Sequence, residues 1–239
     1  MHWFVPTRVT ATELIDLPGV TDDDLIENLA DMARVNRWLG GTWLTLRALD
    51  MLTDGIEARS SLTLLDVATG GADIPQAIAA WAVRRKQHVR VIATDISPQI
   101  MQIANSKNKE QSGKNKITFA AADALTLPFG CGSVDVALCS FALHHLEPAQ
   151  AVAMLREMGR VARCGVVVND LVRWWPAYGA TWLGTRVFSR SRLTQHDGPL
   201  SVLRAYTVAE MRALAKHAGL RVLAINSLGY RVALTLANR

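Results

Sequence analysis

The ten-residue stretch DVATGGADIP, residues 66–75, decides the fold because it joins a short apolar run to an amphipathic segment. The run that leads into it, residues 61–68, is mostly apolar, as in a strand buried on both faces. Small residues in the stretch allow a tight turn whose backbone can approach a ligand closely. Asp73 can cap the helix that follows, with Pro75 in its first turn. The stretch therefore predicts a strand, a ligand-binding loop and a helix in succession.

The same alternation continues along the chain. Apolar runs rich in β-branched residues predict buried parallel strands at residues 89–94, 117–121, 134–140 and 165–169. Amphipathic stretches between the runs predict helices at residues 74–86, 98–107 and 148–161. Strands alternating with helices predict βαβ units, and therefore an α/β fold with a doubly wound, Rossmann-like sheet.

The C-terminal part breaks this pattern. Thr207 and Glu210 have the spacing of a capping box, and Gly219 predicts the end of the helix at residues 207–218. Two further strands, at 220–225 and 230–236, flank a turn signal at residues 226–229. The sequence therefore predicts a seven-stranded sheet, mostly parallel, that finishes in a C-terminal antiparallel hairpin.

Two additions accompany the α/β domain, which we place at residues 60–239. The pattern of residues 1–59 predicts a helical N-terminal cap with a break at Gly40-Gly41. We also expect an irregular lid insertion at about residues 171–206. The apolar stripes of the cap consist of Leu25, Leu29, Met32 and Asn36, then Leu44, Ala48 and Met51.

The tryptophans are concentrated in the two additions. Trp81 lies in the alternating region, whereas the other six are Trp3, Trp38, Trp43, Trp174, Trp175 and Trp182. Two interpretations follow: the additions meet to form an apolar pocket or lid, or they only pack as a helical cap on the sheet edge.

The composition argues against nucleic-acid-binding, disulfide-rich and membrane-spanning proteins. With 26 basic and 21 acidic residues in 239, the net charge is +5, which is weak for a nucleic-acid-binding surface. Cys131, Cys139 and Cys164 lack the spacing of a disulfide framework or a structural zinc site. No apolar run approaches the roughly 18 residues of a membrane span, and the start does not resemble a signal peptide. We expect a cytoplasmic protein without stable membrane insertion and without a metal.

The loop resembles motif I of the class I S-adenosylmethionine-dependent methyltransferases, D-x-G-x-G-x-G. Asp66, Ala68, Gly70 and Ala72 occupy its four positions, so two of the three glycines are alanine. The G-x-G-x-x-G spacing of dinucleotide-binding proteins is absent. Two alternatives stay open: a nicotinamide-dependent oxidoreductase, and a non-catalytic binding module with the methyltransferase fold.

Acidic residues after the next two strands extend the resemblance. Asp95 stands where a carboxylate can accept hydrogen bonds from both ribose hydroxyls, and Asp123 stands where the family binds the adenine amine. Residues 127–135 and 140–146 also resemble family segments around the fourth strand. The resemblance implies S-adenosylmethionine as cofactor, with these candidate contacts: Asp66, Ala68, Thr69, Gly70, Asp73, Asp95, Ile96, Asp123, Ala124 and Ser140.

The resemblance is strongest to methyltransferases of quinone biosynthesis and of phenolic polyketides, the latter through residues 190–207. It implies a small hydrophobic acceptor, phenolic or quinone-like, and no nucleic acid; a homodimer is one assembly the sequence allows. Methyl transfer depends on alignment in a site that excludes water, and a phenol also needs a base near neutral pKa. The candidate bases are His144, His145 and His196.

Overall fold

The computed structural model describes residues 4–56, 61–108 and 116–238. Trp3 and the predicted boundary between residues 59 and 60 lie outside these ranges. The strands are β1 (Ser61–Val67), β2 (His88–Asp95), β3 (Lys116–Ala121), β4 (Val134–Ser140), β5 (Ala162–Leu171), β6 (Leu220–Ser227) and β7 (Arg231–Asn238). The helices are α1 (Asp22–Trp38), α2 (Gly41–Thr53), α3 (Asp73–Arg84), α4 (Pro98–Lys107), α5 (Pro148–Val161), α6 (Trp175–Phe188), α7 (Arg192–Arg204) and α8 (Val208–His217). Two short 3-10 helices cover Leu14–Asp16 and Leu143–His145.

The seven strands form one sheet in the order β3-β2-β1-β4-β5-β7-β6. Strands β1 to β5 run parallel, and β7 pairs antiparallel with both β5 and β6. This confirms the predicted fold class, including the antiparallel hairpin. The strand order reverses between β1 and β4, and ligands of open α/β sheets bind outside the carboxyl ends of the strands at such a point.

Both faces of the sheet are covered. Leu65 packs with Met154 of α5 and Met211 of α8, whereas Leu64 packs on the opposite face with Ile78 of α3 and Leu49 of α2. Neighbouring residues of a strand point to opposite faces, so a strand buried on both sides must be apolar at successive positions. Burial of the strands on both faces therefore explains the apolar runs in the sequence.

Most element boundaries agree with the sequence. Helices α4 and α5 begin at Pro98 and Pro148 as predicted, and the capping box of Thr207 and Glu210 precedes α8. Strand β5 extends beyond the predicted 165–169 at both ends. The hairpin turn is tighter than predicted because β6 continues to Ser227, which leaves residues 228–230 between the strands.

The N-terminal cap consists of α1 and α2, separated at Gly40, whose φ of 82° is left-handed. Leu25 and Leu29 are buried as predicted. Met51 is 43% exposed, so its place in the apolar stripe was wrong. The buried face of α2 is centred on Ala48 and Leu49, and Met51 lies to one side of that face.

The insertion at 171–206 is helical, not irregular, because α6 and α7 fill it. The two additions do meet: Leu193 of α7 packs with Leu25 and Leu29, and Thr194 accepts a hydrogen bond from Asn28. Four of the tryptophans do not build the interface, because these residues are largely exposed: Trp38 72%, Trp43 51%, Trp175 47% and Trp182 44%. Trp174 differs, since it packs in an apolar cluster with Leu171, Val202 and Ala205. In the described part of the chain, no helix has the length and apolar character needed to cross a membrane.

Candidate active site

The loop between β1 and α3 owes its shape to three left-handed residues. Ala68, Gly70 and Ala72 have φ values of 55°, 53° and 60°. These are the positions at which the resembled motif has glycine, so the two alanines adopt the glycine conformation. The loop is closed by a hydrogen bond from the Ala72 amide to the Thr69 carbonyl and is held to β2 by one from the Thr69 amide to Thr94.

The prediction that Asp73 caps α3 is wrong. Asp73 is the first residue of the helix, and left-handed Ala72 precedes it. The Asp73 carboxylate accepts a hydrogen bond from the Asn36 side chain of α1 at 2.8 Å. The prediction used only the residues next to Asp73 in sequence. The hydrogen-bond partner of Asp73, Asn36, lies in the helical N-terminal addition.

Asp66 lies beneath this loop, buried at the end of β1. Its carboxyl accepts a hydrogen bond from the Thr69 hydroxyl at 2.5 Å. Burial raises the pKa of Asp66 to about 8, despite the Thr69 bond, and the charges of Asp73 and Asp95 act in the same direction. Asp66 is therefore a neutral carboxylic acid at pH 7, and it supports the loop from inside.

Asp95, at the end of β2, faces the loop from the other side. One carboxylate oxygen accepts a hydrogen bond from the Gly70 amide at 3.1 Å, and the other accepts one from the Ser97 amide at 3.0 Å. Burial raises its pKa above the ordinary value, although the amides oppose this. A carboxylate has about four lone-pair sites, so both oxygens can accept further hydrogen bonds. Ile96 follows Asp95 and is 69% exposed.

The remaining predicted cofactor contacts occupy the same edge of the sheet. Asp123 follows β3, is exposed and accepts a hydrogen bond from the Leu125 amide at 2.8 Å; Ala124 is half-buried beside it. Ser140 ends β4, and its hydroxyl accepts a hydrogen bond from Arg231 at 2.7 Å. The carboxyl ends of β1 to β4 thus present the predicted residues in strand order.

His144 is held by a buried carboxylate that sequence reasoning missed. Its Nδ1 lies 2.7 Å from one oxygen of Asp170, and its backbone amide donates to the other oxygen at 3.0 Å. Burial alone would raise the pKa of Asp170, but the charge and hydrogen bond of His144 outweigh it and lower the pKa. The Asp170 carboxylate fixes the proton on Nδ1, which leaves the Nε2 lone pair free to accept a proton. The position of Asp170 directly after a predicted strand was a signal that could have identified it.

A second carboxylate faces both imidazoles from the N-terminal segment (residues 4–17). Glu13 is buried, and its two oxygens lie 3.8 Å from Nε2 of His144 and 3.6 Å from Nε2 of His145. Nδ1 of His145 lies 3.1 Å from Asp16. Burial by itself lowers the pKa of His145, but the Asp16 hydrogen bond and the Glu13 charge outweigh it and raise the pKa. No local pattern in the sequence marks Glu13, because its partners come from a distant part of the chain.

His196 does not join the other two histidines. It lies on α7 with 51% of its side chain exposed, and Nδ1 is 2.7 Å from Asp197. Asp197 in turn accepts hydrogen bonds from the Leu14 and Ile15 amides. Residues 196–198 belong to α7, and Asp197 anchors the N-terminal segment through these two hydrogen bonds.

An aromatic cluster follows β4 and β5 at the same edge. Phe141, Trp174, Tyr178 and Tyr230 pack around Leu171 of β5, Ala177 of α6, Val202 of α7 and the following Ala205. Phe141 has a left-handed φ of 56°, a strained conformation of the kind found at binding sites. The indole N–H of Trp174 is buried without a hydrogen-bond partner. A planar acceptor with an oxygen could satisfy this donor.

Arg231 supports the aromatic cluster from below and was also missed by sequence reasoning. Its guanidinium is fully buried, 3.8 Å from the Phe141 ring centroid, and donates to Asn169, Asn36 and Ser140. Burial lowers the pKa of Arg231 to about 10, so the side chain stays charged at neutral pH. It ties β7 to β4, β5 and α1 directly beneath the site.

Residues 64–165 match a family model described as a methyltransferase domain. The strand order and the loop geometry agree with this match. Residues 64–165 therefore resemble a class I methyltransferase domain. The family match indicates S-adenosylmethionine as its cofactor, and the resemblance to the quinone-biosynthesis group is confirmed by the relatives below.

Two curated relatives of the methyltransferase domain are demethylmenaquinone methyltransferases. The one from Porphyromonas gingivalis is 34% identical over 46% of this chain and 43% of its own length. The one from Beutenbergia cavernae is 30% identical over 63% of this chain and 55% of its own length. The chain therefore spans about half the length of these relatives.

Solved structures share the fold at low identity. A SAM-dependent methyltransferase from Aquifex aeolicus has a TM-score of 0.60 at 16% identity, covering 87% of this chain and 97% of its own. Magnesium protoporphyrin IX methyltransferase from Synechocystis PCC 6803, solved with bound SAH, has a TM-score of 0.58 at 17% identity, covering 84% of both chains. Both comparisons confirm the seven-stranded methyltransferase fold.

Proposed function

We propose that the protein transfers the methyl group of S-adenosylmethionine to a small hydrophobic acceptor of phenolic or quinone-like type. The observation that carries this proposal is the buried His144–Asp170 pair beside the aromatic cluster, at the edge of the sheet that also holds the predicted cofactor contacts. The names of the quinone-biosynthesis relatives support the acceptor class.

The residues of the edge fit the cofactor. Ala68, Gly70 and Ala72 are small and left-handed, so the loop backbone can approach a ligand without side chains in the way. Asp95 has lone pairs left for two ribose hydroxyls, and Asp123 is exposed for the adenine amine. S-Adenosylmethionine, when bound, supplies an electrophilic methyl group on a positively charged sulfur.

His144 is the base in this proposal. The acceptor hydroxyl gives its proton to Nε2, and Asp170 stabilises the imidazolium through Nδ1. His144 is only 2% exposed, and Glu13 lies opposite Nε2. An acceptor therefore reaches Nε2 when the N-terminal segment that carries Glu13 moves aside.

The other candidate bases fit less well. His145 lies between Asp16 and Glu13, which raise its pKa, and its side chain is more exposed than that of His144. His196 faces solvent on α7. Of the imidazoles at this edge, His144 is the one that combines burial with an orienting carboxylate.

The nicotinamide-dependent oxidoreductase and the non-catalytic binding module are less well supported. The relatives reported above are methyltransferases, and the loop lacks the glycine spacing of nicotinamide-binding enzymes. The non-catalytic interpretation rested on alanine in place of glycine at 68 and 72. Both alanines adopt the left-handed conformation, so the loop keeps its shape in spite of them.

The direct test has two stages. Calorimetric titration with S-adenosylhomocysteine should give stoichiometric binding; no heat and no thermal shift at millimolar ligand would contradict the proposal. The protein is then incubated with S-adenosylmethionine carrying a labelled methyl and a panel of phenols and hydroquinones. Mass spectrometry should find the label in one acceptor class, and binding without transfer to any of them would favour a non-catalytic role.

A further inference from the structure

We infer that Glu13, His144 and His145 form a binding site for a divalent transition-metal cation of the Zn²⁺ type. One ligand atom from each residue lies within 4.8 Å of the others. The Glu13 oxygens are 3.8 Å and 3.6 Å from the two Nε2 atoms. Zinc binds nitrogen and oxygen at about 2.0–2.2 Å, so two ligands of one ion lie roughly 3–4 Å apart. The cluster needs little rearrangement to reach that spacing.

Both imidazoles are oriented as metal ligands usually are. Metal-bound histidines commonly donate their second ring N–H to a carboxylate, which fixes the tautomer and the ring orientation. Here Asp170 holds Nδ1 of His144 at 2.7 Å, and Asp16 holds Nδ1 of His145 at 3.1 Å. The two rings lie in contact at an interplanar angle of 33°, with centroids 4.4 Å apart, and both Nε2 atoms face the same carboxylate.

The charges around the cluster also favour a cation. Glu13, Asp16 and Asp170 are three carboxylates, and Arg204 lies 3.6 Å from Glu13. With neutral imidazoles, three negative charges and one positive charge leave a formal charge of −2 in this group. The Ser201 hydroxyl and Arg204 lie near Oε1 of Glu13, so Oε2 is the better ligand atom. Two imidazoles with one carboxylate suit Zn²⁺ and its neighbours better than Mg²⁺ or Ca²⁺, which prefer oxygen ligands.

Metal binding has a consequence that rests on the proposed function. The lone pair on Nε2 of His144 can coordinate an ion or accept a proton from the acceptor, but not both. The ion also joins the N-terminal segment to the 3-10 helix Leu143–His145, which closes the route to the base. The metal-loaded protein is therefore inactive in methyl transfer, and removal of the metal restores activity.

The binding experiment uses the full chain, stripped with a chelator and titrated with Zn²⁺ in a calorimeter. Absorption spectra with Co²⁺ report the ligand geometry. We expect one ion per chain, binding at least about 100-fold weaker in Glu13→Gln, and binding about 10–100-fold weaker in Asp16→Asn, which removes only the orienting carboxylate. His217→Asn is the matched control, because His217 is exposed on α8 away from the cluster. Circular dichroism checks that each variant is folded.

Equal affinity for Zn²⁺ in the wild type and Glu13→Gln would overturn the inference, as would the absence of stoichiometric binding. Methyl transfer by the loaded protein at the stripped rate would overturn the inhibitory role. The two proposals can fail separately. If the protein binds Zn²⁺ but not S-adenosylhomocysteine, the metal site stands and the proposed methyltransferase function is wrong. If it binds S-adenosylhomocysteine but not Zn²⁺, the proposed function stands and the metal site is wrong.

Discussion

Asp95 at the end of β2 accepts a hydrogen bond from the backbone amide of Gly70 at 3.1 Å. The contact connects the ends of two adjacent parallel strands, because Gly70 belongs to the loop that follows β1. The same carboxylate therefore positions the loop, and in the proposed function it also binds the ribose. Removing it should affect cofactor affinity more than any other single change at this edge of the sheet.

Replacing Asp95 with alanine should weaken S-adenosylhomocysteine binding by about 2–4 kcal/mol, because two charge-assisted hydrogen bonds are lost. Calorimetric titration measures this directly. Asp23→Ala, an exposed change in the first turn of α1, is the control and should bind like the wild type. Unchanged affinity in Asp95→Ala would show that the ribose lies elsewhere.

Asp66→Asn should change how stability depends on pH. The pKa of Asp66 rises from 3.8 to about 8 on folding, so between these values the folded state holds a proton that the unfolded state has lost. The free energy of unfolding therefore falls as the pH rises through this window. Asparagine keeps the shape of the neutral acid without a proton to lose.

Urea unfolding of the wild type and Asp66→Asn at several pH values between about 4 and 8 measures this effect. The difference in stability between variant and wild type should shift in favour of the variant as the pH rises. A difference that stays constant across the window would mean that Asp66 is already ionised in the folded protein.

Ala68→Gly should stabilise the protein by about 1 kcal/mol, since a left-handed conformation costs an L-residue roughly that much and glycine nothing. Ala80→Gly supplies a control of opposite sign: Ala80 is exposed within α3, where glycine costs about 1 kcal/mol. Chemical denaturation measures both. If Ala68→Gly destabilised the protein as much as Ala80→Gly, the left-handed geometry of the loop would be wrong.

His144→Asn should lower kcat about 10²–10⁴-fold and leave the affinity for S-adenosylhomocysteine unchanged, because the base acts on the acceptor and not on the cofactor. His196→Asn is the matched control, and its kcat should stay near that of the wild type. Asp170→Asn should lower kcat and shift the pH profile, because it changes the tautomer that His144 adopts. Loss of cofactor binding in His144→Asn would point to a structural role instead.

The features that could be predicted from the sequence are those that depend on residues close together in the chain. Runs of β-branched residues specify buried strands, and the capping box at Thr207 specifies a helix start, because both depend on neighbours in sequence. The partners of Asp73, His144 and His145 come from α1, β5 and the N-terminal segment, and no local pattern reports such pairings. The exposure of Trp175 and Trp182 could not be predicted for a related reason: α6 is apolar on most sides, yet the residue it buries is Ala177.

The family model covers residues 64–165, which include Asp66, Asp95 and His144 but neither Glu13 nor Asp170. Two of the carboxylates that hold the imidazoles therefore lie outside the span that matches the family model. In the proposed function, the residues for the methyl donor and the residues around the base thus come from different stretches of the polypeptide. Exchange of the flanking stretches between relatives should redirect which molecule is modified while the donor stays the same.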